Sequence, residues 1–264
     1  MQELTVVKIG GNVLDKEKAL DAFLQDFAVL QGPKILVHGG GKLATELSAK
    51  LGIETNMVDD RRVTDEATIR VVTMVYAGFI NKSVVAALQA KGCTSIGLSG
   101  ADARLLPAVK RPVKEIDYGW VGDIKTSEVN VILLQQLLHA GITPVVAPIS
   151  CNAEGQLLNI NADTVAKTIA EALGSSYVTT LIYCFEKNGL LRNVADERSV
   201  IAEIDIQSAE AMKADGSINK GMVPKIDNAF EAIKNGVSAV YIGSANHILQ
   251  MKNRTAGFGT CIKA

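Results

Sequence analysis

Hydrophobic residues occur along this chain as short β-rich runs separated by longer segments with helical spacing. Glycine, proline or polar clusters bound the runs, as is common for strands. Strands that alternate with helices favour a mostly parallel sheet, because each parallel strand needs a crossover to return. The predicted strands cover residues 5–9, 34–38, 95–98, 143–148, 178–184 and 239–242.

The segments between these runs have the periodicity of amphipathic helices. Leu43, Leu47 and Leu51 recur at helical spacing just before a glycine. A second apolar stripe covers residues 165–173 and also ends at a glycine. Both patterns are typical of a helix with its C-terminal end. The sequence therefore predicts an α/β protein in which helices cover the sheet.

Residues 102–125 interrupt this rhythm. Aromatic residues and glycine stand there among charges, which predicts a hairpin or an excursion over a site rather than a core helix. No internal repeat or low-complexity linker is apparent, so we expect one domain over residues 1–264. The predicted helix end at Gly174 favours two lobes within it, residues 1–174 and residues 175–264.

Composition and charge mainly exclude certain classes of protein and of binding partner. With 48% hydrophobic and 21% charged residues, the chain can bury a core and is not of the disordered class. A formal net charge of −1 gives no general attraction for nucleic acid or an anionic membrane. We find no signal peptide and no uninterrupted apolar run of the ~18 residues that a membrane span needs. We expect a cytoplasmic protein whose ligand is a small molecule, with neither nucleic acid nor membrane as a partner.

The cysteines and histidines exclude two further kinds of site. Four cysteines and three histidines are scattered without a CxxC pair or the spacing of metal ligands. We therefore expect no metal held by the protein itself. Magnesium could still arrive with a nucleotide.

Two glycine clusters at strand ends are candidate anion sites. Lys8 is followed by Gly10 and Gly11 at the carboxyl end of the first strand, where open α/β sheets tend to bind ligands. A tight turn with an exposed lysine explains this fragment equally well. The segment His-Gly-Gly-Gly-Lys at 38–42 is stronger, because it presents amide hydrogens and a helix start to a phosphate or carboxylate. Neither cluster fits GxxxxGK[ST] or GxGxxG, and His38 is expected to pack rather than act as a base.

Polar residues elsewhere could complete such a site. Asn159, Asn161 and Asp163 alternate on an extended segment before a helix and would point into one pocket. One of the last two could instead cap the helix. Arg62 could bind a carboxylate through its forked guanidinium, although an arginine in a loop is often merely solvated. Lys225, together with Asp163 and the lysine of the first strand, predicts a phosphoryl-transfer site.

Five motifs in register resemble those of the acetylglutamate kinases in the amino acid kinase superfamily. They are Lys8-x-Gly10-Gly11, His38-Gly39-Gly40-Gly41, Arg62-Val63-Thr64, Asn159-x-Asn161-Ala162-Asp163 and Gly221-Met222-x-x-Lys225, with Gly259-Thr260 near the end. Their order and spacing agree across the whole chain, so the resemblance rests on the combination. It implies a three-layer α/β/α sandwich around a mainly parallel sheet.

The resemblance also implies roles for the matched residues. Lys8 and Lys225 would stabilise the transferring phosphoryl group, and Asp163 would orient both ammonium groups. The residues expected to bind the acylated glutamate are Gly40, Gly41, Arg62 and Asn159. The residues expected to lie against ATP, which would carry Mg²⁺ with it, are Gly10, Gly11, Gly189, Ile218 and Asn219. The implied activity is the phosphorylation of N-acetyl-L-glutamate in arginine biosynthesis.

The chemistry of such a reaction agrees with a site of this kind. The acceptor is a side-chain carboxylate with a reference pKa of about 4.3, so it is ionised at neutral pH and needs no general base. The obstacle is repulsion, since two unit negative charges about 4 Å apart cost on the order of 4 kcal/mol at an effective dielectric of about 20. Cations and backbone amides offset that cost.

Two features depart from the pattern of the family. Residues 183–189 are longer than the Asp-Val-x-Gly turn of many relatives and lack its aspartate, which puts the contacts to the base in doubt. Asp60 and Arg61 replace the glycine and apolar residue that usually precede Arg62. An extra guanidinium at Arg61 would suit an acyl group with its own carboxylate, so N-succinyl-L-glutamate is an alternative acceptor.

Other functions remain open on the sequence. The chain starts at its first strand, whereas arginine-regulated relatives carry an additional N-terminal helix, so the resemblance implies a homodimer without arginine feedback. Another kinase of the superfamily would share the sheet and the glycine turns, but Arg62 with Asn159 favours an acylated amino acid. A nucleotide or amino acid sensor that has lost turnover is disfavoured by the retained lysines and Asp163.

Overall fold

The structure, a computed structural model, describes residues 1–58, 61–193, 195–214, 216, 218 and 222–263. The strands are β1 (Glu3–Ile9), β2 (Lys34–His38), β3 (Met57–Val58), β4 (Arg61–Arg62), β5 (Ser95–Ser99), β6 (Ala108–Lys110), β7 (Gly122–Ile124), β8 (Thr143–Ala147), β9 (Ile149–Cys151), β10 (Leu157–Asn159), β11 (Val178–Phe185), β12 (Glu203–Ile204), β13 (Ala239–Ser244) and β14 (Thr260–Ile262). The α-helices are α1 (Gly11–Leu14), α2 (Glu17–Val29), α3 (Gly41–Lys50), α4 (Glu66–Thr73), α5 (Asn81–Ala90), α6 (Val131–His139), α7 (Ala162–Leu173), α8 (Ile206–Ala214), α9 (Val223–Lys234) and α10 (Ile248–Lys252). A π-helix covers Met74–Ile80, and short 3₁₀ turns cover Asp102–Arg104, Thr126–Glu128 and Ala245–His247.

Eight of these strands form the central sheet, in the order β12-β14-β13-β11-β1-β2-β8-β5. Its pairings are parallel except between β13 and β14. All six strands predicted from the apolar runs lie in this sheet. The prediction of a mainly parallel sheet is therefore confirmed.

Alternation along the strands creates two hydrophobic layers, one on each face of the sheet. In β1, Leu4 and Val6 join one buried cluster, while Val7 and Ile9 join the other. Successive strand residues point to opposite faces, so a buried strand supplies apolar side chains to both. Helices α6, α7, α8 and α9 contribute to the first cluster, and α2, α4, α5 and α10 to the second. The predicted three-layer sandwich is confirmed.

A continuous helical stretch runs through α4, the π-helix and α5 on the second face. Its residues Glu66–Ala90 are long and apolar enough, by length and composition alone, to cross a membrane. Ile69, Val72, Val84 and Leu88 nevertheless belong to the buried core of the second face. The stretch therefore packs as a core helix of the sandwich.

The segment predicted as an excursion forms the antiparallel hairpin β6–β7. Just before β7, the N–H of Trp120 donates to the carbonyl of Thr64, which lies two residues after the small hairpin β3–β4, at 2.6 Å. The backbone N–H of Asn159 in turn donates to the carbonyl of Trp120 at 2.9 Å. These contacts bring both hairpins and β10 together at one edge of the site described below.

The predicted lobe boundary coincides with the end of α7. That helix ends at Leu173, and Gly174 approaches Gly236 so closely that a Cβ there would lie 2.6 Å from its carbonyl oxygen. The sheet itself crosses this boundary, since β1 pairs with β11 along Glu3 to Lys8. The division into lobes at residues 174 and 175 remains a prediction.

Candidate functional site

The first element of the site is Lys8, near the carboxyl end of β1. Because strand side chains alternate, Lys8 follows Leu4 and Val6 onto the face covered by α7. Its neighbours across the sheet are Tyr183 in β11 and Val37 in β2. The lysine is thus anchored on a central strand with its side chain beside the start of α7.

The start of α7 supplies the carboxylate of Asp163. The side chain of Asn161 caps this helix by accepting hydrogen bonds from the backbone N–H groups of Asp163 at 2.8 Å and Thr164 at 3.1 Å. Such caps satisfy amides that the helix leaves without partners. The capping alternative is therefore confirmed for Asn161, and Asp163 is left to face the sheet edge.

Lys225 reaches the same carboxylate from α9, which packs beside α7. Its Nζ donates a hydrogen bond to Asp163 Oδ2 at 2.7 Å. The Nζ of Lys8 lies 2.7 Å from Oδ1 of Asp163, and this contact is an ion pair rather than an aligned hydrogen bond. The side chains are 13%, 14% and 30% exposed for Lys8, Asp163 and Lys225. Two cations far apart in the sequence therefore meet on one mostly buried carboxylate.

The two lysines determine the ionisation of Asp163. Burial alone would raise the pKa of this carboxyl, but the charges of Lys8 and Lys225 outweigh it and hold the pKa well below its ordinary value. The group is therefore a carboxylate at neutral pH. Tyr183 donates from its hydroxyl to the backbone carbonyl of Asp163 at 3.2 Å, and burial raises the pKa of that phenol well above its usual value.

A cavity of about 190 Å³ lies beside this cluster. Its wall includes Asn161 and Ala162, which directly precede Asp163. The glycine loop Gly39–Gly41 forms another part of the wall. This loop lies against the first glycine turn, since the N–H of Gly39 donates to the carbonyl of Ile9 at 3.0 Å. Both glycine clusters predicted from the sequence are thus adjacent to one another.

Gly40 requires glycine for steric reasons. Its φ is +149°, and an added Cβ would lie 2.3 Å from Ile80 Cδ1 and 3.0 Å from Tyr76 Cδ1. Side chains at this φ are strained, and these contacts leave no room for one. The π-helix that carries Tyr76 and Ile80 thus sets how closely backbone amides can line the cavity.

Arg62 is buried in the cavity wall, with 7% of its surface exposed. Its Nη2 donates to the carbonyl of Gly41 at 2.9 Å and to Thr45 Oγ1 at 2.7 Å, and its Nη1 donates to Thr55 Oγ1 at 3.1 Å. Arg62 therefore clamps the glycine loop and keeps only part of its fork for a ligand. Asn159 also lines the cavity, and its amide donates to Thr64 Oγ1 at 3.1 Å.

His38 is fully buried behind the glycine loop. One ring nitrogen, Nδ1, lies 2.9 Å from the carbonyl of Gly39, and Nε2 lies 3.2 Å from the amide nitrogen of Asn81. That amide also donates to the carbonyl of Val145 at 2.9 Å. Burial lowers the pKa of His38 to about 4, so the ring is neutral. The structure agrees with a packing role for this histidine.

The residues predicted to lie against the nucleotide occupy three different environments. Gly10 adjoins Lys8, whose Nζ would be 3.5 Å from an added Cβ, while Gly11 starts α1. Gly189 packs against β14, where the Thr260 hydroxyl would be 2.8 Å from an added Cβ. Ile218 is 5% exposed within the core of the first face. Asn219 lies outside the described residues, and so does Asp60, which the sequence analysis also named.

Comparisons with known proteins decide the family. The sequence profile of the Amino acid kinase family matches residues 3–244. The chain is also 51% identical over 265 residues to the "Acetylglutamate kinase" of Cytophaga hutchinsonii, covering 100% of both chains. The chain belongs to the amino acid kinase family. The resemblance inferred from the five motifs is thereby confirmed.

Solved structures agree with the amino acid kinase fold. The protein smu.665 from Streptococcus mutans UA159 is 26% identical and superposes with a TM-score of 0.78 over 99% of this chain and 98% of that one. The carbamate kinase from Giardia lamblia bound to AMP-PNP has a TM-score of 0.71 at 14% identity, covering 99% of this chain and 98% of that one. At that identity the second comparison shows the fold alone.

Two residues with polar groups in the cavity wall, Tyr76 and Arg111, were not identified from the sequence of this amino acid kinase. Tyr76 belongs to the π-helix, whose irregular hydrogen bonding leaves no periodic signal. Arg111 lies just after β6, inside the segment predicted as an excursion over a site. The charge and aromatic content of that segment was the available signal, but it did not single out one residue.

Proposed function

We propose that this amino acid kinase transfers the γ-phosphoryl group of ATP to the side-chain carboxylate of N-acetyl-L-glutamate, a step of arginine biosynthesis. The observation that carries the proposal is the meeting of Lys8 and Lys225 on Asp163 beside a cavity lined by amides and arginine. The name of the Cytophaga hutchinsonii relative supports the acceptor, because the two chains match over their full lengths.

The two lysines would stabilise the negative charge of the phosphoryl group during its transfer. In the transfer, a carboxylate oxygen of the acceptor forms a bond to the γ-phosphorus while the bond to the β-bridging oxygen breaks, leaving an acyl phosphate and ADP. Negative charge gathers on the phosphoryl oxygens between two anionic reactants. Preorganised cations stabilise that charge without reorganising during the step. Lys8 and Lys225 would fill this role from opposite sides of the phosphoryl group.

Asp163 would position both lysines. Its carboxylate is ionised and holds one ammonium group on each oxygen, which aligns them without moving a proton. The acceptor is itself already ionised at neutral pH, so the reaction requires no general base. The neutral, buried His38 is consistent with that requirement.

The acceptor would bind in the cavity of about 190 Å³. Gly40 and Gly41 would offer backbone amides, and Arg62 would hold the loop while directing its remaining donors to the α-carboxylate. Asn159 would contribute its amide. The nucleotide phosphates would lie against Gly10 and Gly11, which adjoin Lys8.

The adenosine end of ATP would bind in the later lobe, residues 175–264. Gly189, Ile218 and Asn219 stay the predicted contacts there. Magnesium would be held mainly by the phosphate oxygens that it accompanies. Among the described residues, no group of three or more histidine, cysteine, aspartate or glutamate side chains could hold the ion alone.

Trapping the acyl phosphate with hydroxylamine tests the proposal. Purified protein, ATP, Mg²⁺ and N-acetyl-L-glutamate should give one hydroxamate for each ADP released. ADP without hydroxamate would indicate a different acceptor, and neither product would favour a sensor without turnover. Carbamate, aspartate, glutamate and uridylate as acceptors, each followed by the release of ADP, test the other kinases of the superfamily.

A homodimer and a cytoplasmic location belong to the same proposal. The edge strand β5 exposes Ile96, and the nearby π-helix exposes Met74 and Phe79, the latter to 67%. An apolar surface beside an open sheet edge is the kind of region that a second copy covers. Light scattering should show a dimer that Phe79→Glu dissociates, whereas Ile206→Glu, at an exposed position on α8, should not. A monomeric wild-type protein would contradict this part.

A further inference from the structure

The acceptor cavity offers more guanidinium donors than the single α-carboxylate of N-acetyl-L-glutamate can use. Arg61, Arg62 and Arg111 all line its wall, and no acidic residue is among the described residues that line it. The side-chain carboxylate of the acceptor must approach the lysines, which leaves one α-carboxylate for Arg61, Arg62 and the Nη1 of Arg111. This Nη1 is unpaired among the described residues, and the charge of Arg111 is otherwise paired with Asp123. An acetyl group is neutral and pairs with none of them.

Arg111 is held in place but keeps a donor without an acceptor. Its Nε and Nη2 donate to Asp123 Oδ1 at 3.1 and 2.5 Å, and its Cζ lies 5.6 Å from the ring centre of Tyr118. Its Nη1 is enclosed and has no hydrogen-bond partner among the described residues. An enclosed donor of this kind is stabilised by any anionic acceptor that reaches it.

A second cavity shares two of the three arginines with the first. It has a volume of about 620 Å³, and Arg61 and Arg111 line both cavities. Lys114, Glu115 and Tyr118 are among its other walls. An acyl chain that passes from the first cavity into the second would meet these two arginines. Arg61 is exposed and makes no ion pair within the described part of the chain.

We infer that the preferred acceptor is an N-acylglutamate whose acyl group ends in a second carboxylate, bound by Arg111 with Arg61. A four-carbon dicarboxylic acyl group, as in N-succinyl-L-glutamate, has this chemistry. The inference rests on the proposed kinase function and specifies its acceptor. Arg111 would determine specificity, since it lines both cavities and makes no ion pair or hydrogen bond with Lys8, Asp163 or Lys225.

Three acceptors separate charge from length. N-succinyl-L-glutamate and N-butanoyl-L-glutamate have acyl chains of equal length, but only the first carries the additional carboxylate. We expect kcat/KM for the succinyl compound to exceed that for the butanoyl compound by about 10–100-fold, the scale of a charge-assisted hydrogen bond. The same hydroxamate assay with N-acetyl-L-glutamate gives kcat/KM for the acceptor of the proposed function.

Substitution of Arg111 tests the residue. Arg111→Met should bring the ratio of succinyl to butanoyl kcat/KM close to one. Lys110→Met is the matched control, because it removes a neighbouring cation that packs on Trp120 and does not line either cavity. That control should keep the ratio of the wild type.

Each outcome decides a different claim. Equal kcat/KM for succinyl and butanoyl acceptors, or a succinyl preference that survives Arg111→Met, would overturn the inference and leave the kinase function intact. A preference for N-acetyl-L-glutamate over both would do the same. No hydroxamate from any acylglutamate would instead overturn the proposed function.

Discussion

Replacing Asp163 by asparagine is the sharpest perturbation of this site. The substitution keeps the size and shape of the side chain but removes the charge that Lys8 and Lys225 share. One amide oxygen can still accept a hydrogen bond, whereas the NH₂ group must face the other ammonium. The two lysines then repel each other and leave the positions they hold in the native protein.

The structure sets the size of the expected loss. Both Nζ atoms lie 2.7 Å from the carboxylate, which is mostly buried. Breaking a buried ion pair by removing one partner costs about 3–5 kcal/mol. We expect a cost near the low end, about 3 kcal/mol, because the more exposed Lys225 can turn to water. This corresponds to a fall in Tm of roughly 6–12 °C. Misplaced charge stabilisation should lower kcat by about 10²–10³-fold.

The hydroxamate assay measures the loss of kcat, and thermal unfolding measures the fall in Tm. Asp227→Asn is the matched control. Asp227 lies on α9, the helix that carries Lys225, and its substitution breaks an exposed ion pair with Lys213 of α8. Exposed pairs contribute about 0–1 kcal/mol, so the control should keep the wild-type Tm within a few degrees and the same kcat. Wild-type kcat in Asp163→Asn would refute the positioning role.

Three further results are expected. Lys8→Ala should lower kcat by about 10²–10³-fold with a smaller change in the KM of the acceptor, and an unchanged kcat would remove Lys8 from the mechanism. Gly40→Ala should destabilise the protein by about 1–3 kcal/mol in urea unfolding and raise the acceptor KM, because its Cβ would overlap Ile80; a neutral effect would contradict the steric account. His38 has a folded pKa of about 4 against an ordinary value of 6.5, so the unfolded chain binds the extra proton between these values. Stability should therefore fall as the pH is lowered from 6.5 to about 4, by up to about 1.4 kcal/mol per pH unit. This contribution to the slope should be absent from His38→Gln, whereas equal slopes would contradict the buried neutral ring.

The central sheet was predictable because its strands carry their own signal. A run such as Lys34 to His38 is buried on both faces, so apolar composition alone marks it. The short strands of the hairpins lack that signal. β3 and β4, with two residues each, are defined by their pairing with one another, and Thr64 just after β4 is held by backbone hydrogen bonds to Tyr118 and Trp120.

The chemistry of the site was predictable where a residue type had few other uses. A lysine followed by glycines at a strand end and an aspartate at a helix start each pointed to an anion site. Arg62 was identified from its position in a motif, but its engagement with Gly41, Thr45 and Thr55 depends on tertiary contacts. Arg111 could not be identified, because the two cavities that it lines are formed by segments far apart in the sequence.

The proposed transfer requires Lys8 and Lys225 to act as one unit, and a double-mutant cycle on kcat tests this most directly. Lys8→Met and Lys225→Met should each lower kcat by about 10²–10³-fold, while the double variant should lose much less than the product of the two. Losses that multiply fully, or wild-type kcat in either single variant, would contradict a shared action on one phosphoryl group.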